Sequence, residues 1–216
     1  SVRFGDLDEA GASGAAGWQL GGPARGLIAE YGYEARELGG APFLGAHHLL
    51  AAAWTAAGAL SLGATYLVRF ESYDGALYQP FSGTLHRAEV YLRAPLGRRA
   101  RLLVAYGLSR DATDAPQLSF WEHGPRAELR HDLGPRLRLA LAAGLAWRGY
   151  DAFDPALGVT RSDTYLDGAA GLEWDVADRW TVRAGVAARD ASSSAPGFGY
   201  LRVVPGVGLA FVAGLL

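Results

Sequence analysis

An all-β fold, an antiparallel up-and-down transmembrane β-barrel of about ten strands, is what this sequence predicts, on three observations. The first is a side-chain period of two held over roughly ten residues, the signature of a strand with two unlike faces. Leu137, Leu139, Leu141, Ala143, Leu145 and Trp147 alternate with Arg138, Ala140, Ala142, Gly144, Ala146 and Arg148. The second is length: strands in water average about five or six residues, whereas about nine to eleven cross a bilayer obliquely. The third is the rhythm of the connections, short near residues 58, 96, 134 and 177 and longer near 40, 76, 114, 156 and 195. Short turns at one end and long loops at the other suit such a barrel.

Each strand has its own alternation. Residues 1–24 are rich in Gly, Ala and Asp without sustained apolar period, and read as a leader or linker; the barrel is expected over 25–216. Leu27, Ala29, Tyr31 and Tyr33 alternate with Ile28, Glu30, Gly32 and Glu34. From Leu49 to Val68 no residue is charged, which by length alone would suit a transmembrane helix. The alternation of Leu60, Leu62, Ala64, Tyr66 and Val68 with Ser61, Gly63, Thr65 and Leu67 instead favours a hairpin turned at Ala57-Gly58-Ala59. Val90 and Leu92 oppose Glu89, Tyr91 and Arg93, and Leu102, Val104 and Tyr106 oppose Arg101, Leu103 and Ala105. Trp121, Ala127 and Leu129 oppose Glu122, Arg126 and Glu128, with Pro125 awkward in this strand because it removes a ladder donor. Leu166 to Trp174, Trp180 to Ala188 and Tyr200 to Ala213 complete the count, with Asp175-Val176-Ala177-Asp178 as a tight turn. An even number of strands would place both termini on one side.

Composition narrows the function. The chain has 216 residues and a net charge of -2, which favours neither nucleic acid nor an acidic polymer as partner. It contains no Cys, so disulfides and thiolate metal sites are excluded. No Met is present, as expected of a chain that begins after a processing site or an artificial boundary, and no signal peptide is visible. All 20 basic residues are Arg, and both Lys and Asn are absent, as a strongly GC-biased genome would produce.

The alternating strands from Arg25 onward resemble bacterial outer-membrane β-barrels as a broad class. The Arg/Gly/Ala-rich hairpin from Leu172-Glu173-Trp174-Asp175 through Asp178-Arg179-Trp180 is similar to barrels of high-GC Proteobacteria, some of which follow periplasmic tetratricopeptide repeats. The chain departs from the class at its end, Gly214-Leu215-Leu216, where an aromatic residue is usual; Phe211 is its last aromatic. The resemblance implies an outer-membrane location with both termini periplasmic. It also implies contact with membrane lipid and lipopolysaccharide, and association with periplasmic or outer-membrane protein subunits. The corresponding role is a structural anchor or accessory subunit of an envelope assembly.

With the apolar set facing lipid, the other set would line a lumen. Its expected charge network comprises Glu30, Glu34, Arg69, Glu71, Arg87, Glu89, Arg93, Arg101, Glu122, Arg126, Glu128, Arg130, Arg138, Arg148, Asp167, Glu173, Arg183 and Arg202. In a barrel this narrow, side chains of that length meet and close the lumen; a narrow channel for small polar solutes is the alternative. Trp54, Trp147, Trp174 and Trp180 fall near strand ends, where an aromatic girdle is expected. Histidines at His47-His48 and Glu122-His123 are the candidates for a rim-located hydrolase, because an acid/His pair can activate water. His47 is expected to face inward and His48 outward. Neither pair aligns with omptin-type proteases or lipid A deacylases, so no catalytic residue, metal ligand or cofactor is assigned. A soluble barrel with inverted faces, holding an apolar ligand, is a further possibility.

Overall fold

The computed structural model describes residues 9–38, 41–177 and 180–211. They form eleven strands: β1 (Glu9–Gly21), β2 (Arg25–Leu38), β3 (Ala41–Ala57), β4 (Leu60–Tyr73), β5 (Gly83–Leu96), β6 (Ala100–Thr113), β7 (Phe120–Asp132), β8 (Leu137–Asp154), β9 (Val159–Ala177), β10 (Trp180–Ser193) and β11 (Tyr200–Phe211). Every pair is antiparallel and joins neighbours in sequence, in the order β1 to β11. Nine of these strands carry the alternation described above, β3 is the first arm of the expected hairpin, and β1 comes from the stretch expected as a leader. The uncharged run from Leu49 to Val68 is the β3–β4 hairpin, and among the described residues no helix is long and apolar enough to cross a membrane. The expected Asp178 turn residue and the Gly214-Leu215-Leu216 end lie outside the described residues.

The barrel expectation is corrected by the two end strands. Among the described residues β1 pairs only with β2 and β11 only with β10, so the sheet is open. Strand parity supplies the physical reason. Successive antiparallel strands reverse direction, so an odd-numbered meander leaves its first and last strands running the same way. An all-antiparallel ring needs an even number, and the eleventh strand, β1, breaks that condition. It also places the start of β1 and the end of β11 at opposite ends of the sheet, so the even count behind the expected placement of the termini is not met; the termini themselves lie outside the described residues.

Several expectations fall with the barrel. The open sheet of the described residues encloses no lumen, so neither a lumen sealed by ion pairs nor a channel is supported. An open edge in hydrocarbon would leave unpaired backbone N–H and C=O groups at several kcal/mol each, and such edges do not occur facing lipid. Membrane lipid and lipopolysaccharide as partners, an outer-membrane location, and the role of anchor or subunit in an envelope assembly all rested on closure. None is supported by this sheet.

The two faces are nonetheless unlike. Leu44, Ala46, Tyr91, Ala105, Ser109, Asp163 and Tyr165 are buried, and all lie on the charged face. The apolar face is open, with Trp18 75% and Leu166 57% exposed. The sheet therefore curls toward its charged side. Ion pairs that skip a strand follow that curl: Arg126 of β7 reaches Glu89 of β5, and Arg69 of β4 reaches Glu34 of β2. Neighbouring strands are about 4.8 Å apart, so each bridge spans roughly twice that distance. The small residues Ala105 and Ala46 occupy the skipped strands, in register with Arg126 and Glu34 respectively, and are buried.

The ladder is interrupted where β7 meets β8. The ladder between them has no paired partners for Gly124 and Pro125, resuming at Arg126 opposite Gly144. Pro125 has no N–H to give, and the Leu145 carbonyl occupies the place a Cβ would take on Gly124. Only glycine allows that approach of the β8 backbone. Gly124→Ala is expected to destabilise the protein by roughly 1–3 kcal/mol through overpacking, read as a lower urea midpoint with an unchanged slope.

Candidate functional site

Most of the charged residues on the concave face satisfy one another. Arg69 forms ion pairs with Glu71 at 2.6 Å and Glu34 at 3.0 Å, though its Nε makes no well-aligned hydrogen bond, and Glu34 also pairs with Arg36. Arg126 grips both Glu89 oxygens at 2.7 Å and also meets Glu128. Arg148 hydrogen-bonds Glu122, Arg138 hydrogen-bonds Asp175 at 2.8 Å, and Arg183 forms an ion pair with Glu173 at 3.1 Å. Arg189, outside the expected set, holds Asp167 at 2.7 Å. His48 meets Glu30 at 3.3 Å, and Arg87 donates to Ser109 at 3.3 Å. Charge-assisted and bidentate hydrogen bonds of this kind are the strong ones.

The end of the concave face beside the longer loops is closed by its own side chains. Arg148 lies 3.9 Å over the Phe120 ring and 5.0 Å over Tyr165. Arg161 bonds Asp163 at 2.7 Å and lies 3.9 Å over Phe198. The Tyr165 hydroxyl donates to Asp163 at 2.8 Å. Burial alone would raise the Asp163 pKa, but hydrogen bonds from Arg161, Ser193 and Tyr165 outweigh it and hold the carboxyl below its usual range. Burial, then the bond to Asp163, pushes the Tyr165 phenol up. Sequence reasoning missed Arg161 and Asp163, because both sit in the stretch assigned to a loop before β9.

The opposite end, beside the short turns, is different. Arg101 of β6 and Arg130 of β7 are directly opposed in the ladder. Arg93 of β5 is opposite Leu103, two residues along from Arg101 on the same face. All three are exposed. Among the described residues no carboxylate lies within ion-pair distance of any of them; Arg93 has only the Tyr91 ring, 4.6 Å away. Directly opposed residues have Cβ atoms about 4.5–5.5 Å apart, where like charges destabilise the sheet. The three arginines border a hollow of about 460 Å³, with Leu103, Glu128 and the turn residue Ala59 in its wall. The Glu128 carboxylate is already engaged by Arg126. The hollow thus presents three guanidinium groups, each able to donate in a planar fork.

The histidine expectations change with the register. His47 lies on the convex face, its Nδ1 2.6 Å from the Tyr31 hydroxyl, while His48 lies on the concave face with Glu30; their expected orientations are reversed. The His47 arrangement recurs on alternate hairpins, with Tyr66 and His86 at 2.8 Å and Tyr106 and His123 at 2.7 Å. In each pair the histidine precedes the tyrosine's register partner by two residues. Glu122 and His123 point to opposite faces, so they do not form one acid/base pair. Of the four expected girdle residues, Trp147, Trp174 and Trp180 are exposed on the convex face. Trp54 is on the concave face, where its ring takes the Cβ position of Gly26 and its Nε1 donates to the Gly22 carbonyl at 3.1 Å. Among the described residues no group of three or more His, Cys, Asp or Glu is placed to hold a metal ion.

No family model matches the chain, and comparison with curated proteins finds no significant match. The class defined by the structure is therefore architectural: an open, all-antiparallel β-sheet protein with an ionic concave face.

Asp111 tests the electrostatics of that face. Burial, and next the nearby charge of Glu71, raise its carboxyl pKa above the usual value. A carboxyl whose folded pKa is raised favours the neutral form, so its contribution is best below the unfolded pKa and is lost as pH rises through the folded value. Asp111→Asn is therefore expected to raise the melting temperature at pH 7, with the gain disappearing as pH falls below the ordinary aspartate range. Arg126→Ala, which strands Glu89 and Glu128, is expected to cost roughly 1–2 kcal/mol in chemical denaturation.

Proposed function

We propose that this protein is a non-catalytic binding protein for small polyanions, molecules carrying two or more negative charges as phosphate or carboxylate groups. The observation that carries the reading is the opposed pair Arg101 and Arg130, joined by Arg93 and lacking any carboxylate partner among the described residues. Among the described residues, most other arginines on the same face are paired with carboxylates; Arg87, which donates to Ser109, and Arg202, opposite Arg189 in the ladder, are not. An anion bridging the three guanidiniums would convert a repulsive cluster into a set of charge-assisted, bidentate hydrogen bonds. The hollow of about 460 Å³ falls within the range of small-molecule sites. Its three exposed guanidinium groups favour reversible binding that weakens with salt.

Titration calorimetry with inorganic pyrophosphate tests the reading at low ionic strength. The expected result is saturable one-to-one binding, weakened about tenfold or more by Arg101→Gln with Arg130→Gln, which corresponds to at least about 1.4 kcal/mol. Arg183→Gln, which removes a cation already paired with Glu173, is the control and should leave affinity within about twofold, under about 0.5 kcal/mol. Absence of saturable binding, or equal affinity in the double variant, overturns the reading. The same geometry sets an opposite effect on stability. Arg101→Gln alone should stabilise the ligand-free protein by roughly 0.2–1 kcal/mol, because it relieves the like-charge pair.

A further inference from the structure

We infer that β1 is a self-association edge, and that two copies of this chain pair through it, strand to strand, about a two-fold axis at Ala15. β1 carries a row of backbone N–H and C=O groups on the side away from β2 that no strand among the described residues pairs with. Exposed edges of this kind are ordinarily protected by charge, proline or bulges. β1 has none of these over residues 10–21, a stretch of twelve without a charged residue or proline, and its pairing with β2 is unbroken from Glu9 to Gly21. The other edge is built differently. β11 has Pro205 near its middle and Arg202 near its start, both devices that discourage strand addition.

The occupant is a second β1 because the strand is complementary to itself. A two-fold axis across a strand edge produces antiparallel pairing, the pairing used throughout this sheet. Centred on Ala15, it sets residue i opposite residue 30 minus i, and all thirteen residues of β1 find a partner. Trp18, which is 75% exposed, then falls opposite Ala12 of the second copy on the convex face. Large meets small at both symmetry-related places. Gly17 falls opposite Ser13, Gly14 opposite Ala16, and the lone acid Glu9 opposite Gly21 rather than another Glu9. No like charges oppose each other.

The size of the interface sets the affinity. Thirteen residues span about 43 Å, and with an effective thickness of about 10 Å the two edges cover on the order of 900 Å² in total. That lies below the roughly 1,200–2,000 Å² of standard stable interfaces, so the dimer is a reversible one that a single repulsive pair can break.

Sedimentation velocity of the full chain across a concentration series, with charge variants at the axis, provides the test. The wild type is expected to shift from monomer to dimer with rising concentration. Ala15→Lys and Ala15→Glu each place like charges opposite one another and should each remain monomeric. Their one-to-one mixture should recover the dimer, which also shows that neither variant is merely misfolded. Because the chain has no cysteine, Ala15→Cys should form an intermolecular disulfide under mild oxidation, whereas Val207→Cys on the β11 edge should not. A wild type that stays monomeric throughout, variants that dimerise individually, or a mixture that remains monomeric would each overturn the inference. The arginine hollow lies on β5 to β7, away from β1, so its pyrophosphate affinity is independent of this result.

Discussion

Strand parity is the constraint on which this architecture turns. Every connection reverses the chain, every strand pairs with its sequence neighbours, and eleven strands leave the first and last edges running in the same direction. Among the described residues, closure by the pairing used everywhere else in the sheet is thereby denied. The ten longer-patterned strands would have satisfied parity without β1. A Gly/Ala-rich strand of thirteen residues, adding little side-chain bulk, thus changes the topological class of the molecule.

Curl toward the charged face follows from what the side chains there can do. Arginine and glutamate are long enough to join strands that are not neighbours, and small residues such as Ala46 and Ala105 leave room for those bridges. The face then divides by charge balance. Beside the long loops, aromatic rings and carboxylates absorb Arg148 and Arg161 completely. Beside the short turns, the register brings Arg101 and Arg130 together with no acid between them. Arg138 and Arg183 beside the neighbouring short turns do have carboxylate partners, and it is the lack of one at Arg93, Arg101 and Arg130 on which the proposed ligand hollow rests. The cost of holding like charges together is a stability sacrifice of the kind binding sites commonly make.

Much of this was legible in the residues. The period of two located β2 and β4 through β11, and β3 followed as the first arm of a hairpin, but the end of β8 and the start of β9 were placed in a loop about six residues too early and too late. β1 escaped because its two faces, Gly11, Ser13, Ala15 and Gly17 against Ala12, Gly14 and Ala16, are equally small and give no contrast. The same weakness affected β3. Its run from Leu49 to Trp54 is apolar on both faces, so facing could not be read, and a one-residue slip exchanges the faces. His47, His48 and Trp54 were consequently assigned to the wrong sides. Arg93, Arg101 and Arg130 were recognised as members of a charged face. Their isolation from carboxylates was not legible, because it depends on register between strands and not on spacing within one.

Amide hydrogen exchange along β11, followed residue by residue by nuclear magnetic resonance, tests the open sheet most directly. In an edge strand only the amides directed at the neighbouring strand are held in the ladder, so protection should alternate between strong and weak through β11 while remaining continuous through β5 to β8. Alternation would establish β11 as a free edge. Strong protection at every non-proline amide from Leu201 to Leu209 would mean that β11 is paired on both sides, and would contradict the open architecture from which the account proceeds.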